Sequence, residues 1–277
     1  MFDQDMAQRA VESLKLVRER RPLVHNITNY VVMNYTANVL LACGASPVMA
    51  HAVEEVEEMV SLAGALVLNI GTLSPTWIEA MLKAGKRANG LHIPVILDPV
   101  GAGATRLRTD SARRLMKAIS IQVIRGNASE ILSLSSGPSG ARTKGVDSIH
   151  TVDQVTETVS ALAKELRTVL AVTGAVDLIT DGDQTFRVMN GHEMMGRVTG
   201  TGCAATAIIG AFLAVCADSL EAATAGLSYF GLAGEKAAAK ASGPGSFQIE
   251  LLDSLYQIKE GDLRAGAKIQ VGEPRPS

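Results

Sequence analysis

Four short apolar runs, each closing on a polar residue, constrain this chain more than anything else in it. They are "ALVLNIG" (65–71), "PVILDPVG" (94–101), "SIQVIRGN" (120–127) and "TVLAVTG" (168–174). Longer segments of helical period separate them. A strand that is apolar on both faces must be covered on both faces, which is the habit of parallel sheets. The alternation therefore predicts an α/β fold: a three-layer sandwich with a mainly parallel central sheet and helices on both faces. Ligands of such sheets bind beyond the carboxyl ends of the strands. That rule singles out Asn69, Asp98, Arg125, Asn127 and Thr173, which stand at those ends.

The rest of the chain fits the same scheme. Val11, Leu14 and Val17 recur at helical spacing. "NYVVMNYTANVLLACG" reads as a helix stopped by Gly44, "SPVMA" as a short strand, and "EEVEEMVSLAG" as a helix with an acidic first turn, again stopped by glycine. Ser74 and Pro75 form a helix start, cap followed by N1. "TVDQVTETVSALAKELR" is a helix with Thr151 or Asp153 as its cap. "VDLITDGDQTFRVMN" is a hairpin turning at Asp181-Gly182-Asp183. Two Ala-rich helices follow, over 203–217 and 219–241, and the polar tail beyond Gly261 reads as loose over about its last 15 residues. All 277 residues are expected in one domain.

Composition narrows the partners. A net charge of −2 without a basic block argues against nucleic acid or an anionic membrane. The apolar stretch Cys203–Ala217 is short of a membrane span and has Gly210 inside it, so it reads as a buried helix. Cys43, Cys203 and Cys216 have neither disulfide nor zinc spacing, and they suit a reducing, cytoplasmic setting. The charged N-terminal segment has no apolar core of a signal peptide.

Four motifs carry candidate chemistry. "VTGTGC" (198–203) runs into an apolar helix; its glycines let backbone approach a ligand, and free amides at the helix start favour an anion. It lacks the lysine of a Walker A loop. "LDPVGAG" puts Asp98 at a sheet edge, either capping a turn or serving Mg²⁺ and its water shell. "RGNASE" has Asn127 and Glu130 at capping-box spacing; Glu130 either closes that box or shares a metal network with Asp98, and Arg125 offers a cation for phosphate. "HNITNY" (25–30) either caps a helix or lines a small polar pocket.

Taken in order, "HNITNYVVMNYTANVLLACGASPVMAH", "GALVLNIGTL", "PVILDPVGAGAT", "IRGNASEI", "AVTGAVD" and "GRVTGTGC" resemble the hydroxyethylthiazole kinase family of the ribokinase-like superfamily. The resemblance runs from about Arg21 to Ala241. It implies an ATP-dependent kinase acting on the primary alcohol of 5-(2-hydroxyethyl)-4-methylthiazole in thiamine salvage. It implies substrate contacts at Met49, Gly200 and Asn29, and nucleotide contacts at Arg125, Thr173, Asn29 and Thr199. Asp98 and Glu130 would serve Mg²⁺ through water, and Gly200, Gly202 and Cys203 would form the catalytic helix start. Cys203 takes the place where the wider superfamily has an aspartate base. The family's homotrimer, with active sites between subunits, is the implied assembly. Three other readings share parts of the pattern: a kinase for a pyrimidine alcohol or sugar, a lyase of the same fold acting on hydrated nicotinamide nucleotides, and a non-catalytic nucleotide sensor. The cysteine in "GTGC" speaks against the lyase and the other kinases, and the pair Asp98 and Glu130 against the sensor.

Overall fold

A computed structural model describes residues 2–135 and 152–272. Its core is one nine-stranded sheet in the order β2-β1-β3-β4-β5-β6-β7-β8-β9. The strands are β1 (Leu23–Ile27), β2 (Ser46–Val48), β3 (Ala65–Asn69), β4 (Val95–Asp98), β5 (Val123–Asn127), β6 (Val169–Thr173), β7 (Asp177–Thr180), β8 (Thr185–Val188) and β9 (Ile269–Val271). Pairing is parallel from β2 through β6 and antiparallel from there to β9.

Alternation along the strands sends side chains to two separate cores. Val24, Val67, Ile96 and Val123 face one core with α1 (Gln4–Arg20), α2 (Met33–Cys43), α8 (Thr201–Leu213), α9 (Ser219–Ala238), α10 (Pro244–Gln257) and α11 (Glu260–Gly266). Leu66, Leu68, Leu97 and Ile124 face the other, with α3 (Val56–Ser61), α4 (Pro75–Gly90), α5 (Arg106–Ala118), α6 (Ala128–Leu132) and α7 (Val152–Leu166). The three-layer, mainly parallel architecture is the one the apolar runs require. The described cap and turn expectations hold at Gly44, at Ser74 with Pro75, and at the β7–β8 hairpin. The capping expectation at Thr151 lies outside the described residues; Asp153 is inside α7, which begins at Val152.

Four expectations are corrected. The tail is not loose from Gly261: α11 packs Leu263 into the core and β9 pairs with β8, and the rest of that expectation, over 273–277, lies outside the described residues. Three alternating residues are too few for a periodicity to stand out, and a docked edge strand supplies the order. The capping reading of "HNITNY" does not hold: "HNI" is part of buried strand β1, and α2 begins only at Met33 with no side-chain cap. The third helix ends at Ser61 with Leu62 as its cap, three residues before Gly64. The helix after "VTG" starts at Thr201, so Cys203 is its third residue rather than its first.

Candidate active site

Five strand ends and one helix start meet at the carboxyl edge of the sheet. Gly200 precedes α8 with φ +89°, and a Cβ there would stand 2.7 Å from Val32 Cγ1. No side chain caps this helix. The amides of Thr201, Gly202 and Cys203 are thereby left to an external acceptor. A Cβ on Gly202 would stand 2.8 Å from Arg125 Nη1, so glycine there lets the guanidinium lie against the helix start.

Two clefts adjoin this point. The first, of about 420 Å³, is lined by Asn29, Val32, Asp98, Glu130, Thr199, Gly200 and Cys203. The second, of about 500 Å³, is lined by Thr173, Asp177, Gly191, Thr201, Phe230 and Gly231, among others. Arg125 and Gly202 line both. Arg125 is held in place by donating from Nη2 to Thr173 Oγ1 at 2.6 Å, and its Nη1 stands 3.9 Å from Asp98 Oδ2.

Asp98 is only 1% exposed. Its Oδ2 accepts from Thr206 Oγ1 at 2.7 Å and from Asn69 Nδ2 at 2.9 Å, and its Oδ1 has no partner. Burial pushes its carboxyl up to about 6, against the pull of Arg125. The capping reading of Glu130 holds. This residue closes the capping box with Asn127, and its Oε1 also accepts from Gly101 N at 2.8 Å, yet it still lines the first cleft. The capping geometry thus aims this carboxylate at the loop that follows Asp98.

Cys203 faces the first cleft, with Asn29 Nδ2 donating to its Sγ at 3.5 Å. Burial, followed by the nearby Asp98, pushes the thiol up to about 11. A helix start would pull a thiol down, but desolvation wins here, so Cys203 is a neutral thiol at pH 7.

The sequence-based residues thus converge, with two qualifications of place. Asn29 and Thr199 line the first cleft and not the second. Met49 lines neither: it follows the edge strand β2, half-buried. Residues that reading of the sequence missed are Asn69 as a bridge, Thr206 one turn into α8, and the wall of the second cleft around Gly191 and Phe230. Thr206 lies four residues beyond Gly202 on the same helix face, which was the available signal.

Among the described residues no helix is long and apolar enough to cross a membrane, and no group of three or more His, Cys, Asp or Glu side chains could hold a metal. Comparison with known proteins agrees with the geometry. The profile of the "Hydroxyethylthiazole kinase family" matches residues 14–261. The hydroxyethylthiazole kinase of Desulfotalea psychrophila is 60% identical over 94% of this chain and 95% of its own length. That of Desulfosudis oleivorans is 55% identical over 98% of both. The solved structure of hydroxyethylthiazole kinase from Pyrococcus horikoshii superposes with a TM-score of 0.87 at 50% identity, covering 95% of this chain and 99% of that one.

Proposed function

The chain belongs to the hydroxyethylthiazole kinase family, and from that premise we propose how its two clefts divide the reaction. The reaction is ATP-dependent phosphorylation of the hydroxyl of 5-(2-hydroxyethyl)-4-methylthiazole, on the way to thiamine. ATP lies in the second cleft, beside Thr173, with its phosphates reaching Arg125. The thiazole alcohol lies in the first, with its hydroxyl toward Cys203. One observation carries this arrangement: Arg125 and Gly202 line both clefts, so a phosphoryl group resting on them is reachable from either side.

Phosphoryl transfer depends mostly on positioning and on stabilising spread negative charge. Here the amides of Thr201, Gly202 and Cys203 and the guanidinium of Arg125 supply that stabilisation, preorganised before the substrates bind. Asp98 and Glu130 suit Mg²⁺, a hard cation that takes oxygen ligands and is usually held by one or two carboxylates plus substrate phosphates. The buried, unpartnered Oδ1 of Asp98 is the atom that fits it. When bound, the ion would neutralise charge on the triphosphate. Product formation from ATP should be followed with the thiazole alcohol, a hydroxymethylpyrimidine and hydrated nicotinamide nucleotide side by side. Turnover of the first is expected to exceed the others by orders of magnitude, and preference for either of the others overturns the substrate assignment.

A neutral thiol is a poor base, and a loose transition state leaves little charge on the attacking oxygen. Cys203→Ala is therefore expected to keep binding both substrates and to lose less than about 10²-fold in kcat, the low end of general-base assistance. An inactive Cys203→Ala enzyme with normal substrate binding would make the thiol an essential base or nucleophile.

Met49 lines neither cleft of its own chain, and we place it against the thiazole of a neighbouring subunit in a homotrimer whose active sites lie between subunits. The exposed Tyr30 and Val31 beside the first cleft support a covering partner there. Met49→Ala should then raise KM for the thiazole alcohol about 10-fold or more with little change in kcat. A monomeric mass in sedimentation, or an unchanged KM, contradicts this placement. The three free thiols suit a cytoplasmic enzyme.

A further inference from the structure

We propose that Asn69 and Thr206 are positioning residues that hold the Asp98 carboxylate by one oxygen and, through Asn69, tie it to the acceptor side of the site. The proposal rests on the assignment of Asp98 to the metal-bearing side of that site and goes beyond it. Neither residue faces the clefts; both are buried, Asn69 at 1% exposure and Thr206 at 0%. Their hydrogen bonds run in one direction.

Backbone donors fix that direction. The amide of Gly71 donates to Asn69 Oδ1 at 2.9 Å, so the other end of that side chain is the NH₂, and it faces Asp98 Oδ2. The amide of Val31 donates to Asn29 Oδ1 at 3.1 Å, so the Asn29 NH₂ faces Asn69 Oδ1 at 2.9 Å and Cys203 Sγ at 3.5 Å. From the other side Thr206 donates to the same Asp98 Oδ2, although the Gly202 carbonyl one turn earlier is 3.3 Å away as an alternative acceptor. Two donors thus occupy Oδ2 and leave Oδ1 of the same carboxylate without a partner. A carboxylate gripped at one oxygen cannot rotate to present the wrong one. The outer-shell partners of an acid that serves a metal act in this way.

The test uses the full-length enzyme with Asn69→Ala, Thr206→Val and Thr206→Ser. Loss of either donor is expected to lower kcat by about 10–100-fold with KM for the thiazole alcohol changed by no more than a few-fold. Calorimetric titration of Mg²⁺ into the enzyme complexed with a non-hydrolysable ATP analogue should show a comparable weakening. Thr206→Ser, which keeps the hydroxyl, should restore both readouts, which a merely space-filling threonine would not. If Asn69→Ala and Thr206→Val melt earlier but keep kcat and Mg²⁺ binding, both residues are structural and the proposal fails. If Asp98→Asn itself leaves Mg²⁺ binding unchanged, the failure lies in the assignment of Asp98.

Discussion

Asp98→Asn is expected to lower turnover on the order of 10²–10³-fold, the usual cost of removing one preorganised electrostatic group, in a protein that melts no earlier than the wild type. The two halves of this expectation have one cause. Asp98 is buried at the end of β4 with its Oδ1 unpartnered, and burial holds its carboxyl up at about 6. A carboxyl raised in the fold above its ordinary 3.8 binds a proton in the native state over a range where the unfolded chain has released it. Its contribution to stability is therefore full below pH 3.8 and is lost as pH rises to about 6. Above that range the enzyme carries the cost of a buried charge. Asparagine can still accept from Asn69 and Thr206 and is cheaper to bury than an ion. The difference in Tm between variant and wild type should thus grow in favour of asparagine from pH 4 to pH 7. Thermal melts across that interval, with kcat at saturating substrates, check both halves. A variant that retains near-normal turnover, or melts well below the wild type at neutral pH, contradicts the role given to this acid.

Gly200→Ala should be nearly as damaging to activity, and destabilising as well. Its φ of +89° is a conformation that residues with a Cβ rarely adopt, and the added carbon would stand 2.7 Å from Val32 Cγ1. Holding alanine there costs about 1–3 kcal/mol. Relief of the strain must swing the backbone that presents the amides of Thr201, Gly202 and Cys203. Moving these donors off the developing charge is expected to cost about 10²–10³-fold in kcat/KM. Gly202→Ala should destabilise less, because the atom it meets is the far end of the Arg125 side chain, although shifting that guanidinium should still cost activity. The ordering of the two variants in Tm, with kcat/KM of each, is the check. Equal activity of Gly200→Ala and wild type would mean that the helix start does not hold the transferring group.

The layers and most of the site were legible in the sequence for a plain reason: both are written in short-range pattern. Apolar runs name the parallel strands, and the strand-end rule names Asn69, Asp98, Arg125 and Thr173 before any contact is known. Helix α5 and strand β9 were not legible. The buried positions of α5 are only Ser111, Ala112 and Leu115 in a highly charged stretch, and β9 has three residues whose partner strand lies about 80 positions earlier. Strand β1 was obscured because its interior holds His25 and Asn26, both fully buried. His25 Nε2 lies 2.7 Å from the carbonyl of Ala50, a satisfied buried contact that no local pattern announces. The link from Asp98 through Asn69 and Asn29 to Cys203 joins residues up to 174 positions apart, so only the fold shows it.

The arrangement of the two clefts is tested most directly by a crystal structure of the enzyme with a non-hydrolysable ATP analogue and the thiazole alcohol bound together. The adenosine should lie in the cleft beside Thr173 and Phe230, and the γ-phosphate on Arg125 and the amides of residues 201–203. The alcohol oxygen should stand about 3–3.5 Å from the γ-phosphorus, as a near-attack geometry requires. Adenosine in the cleft lined by Asn29 and Cys203, or a γ-phosphate away from the start of α8, would contradict it.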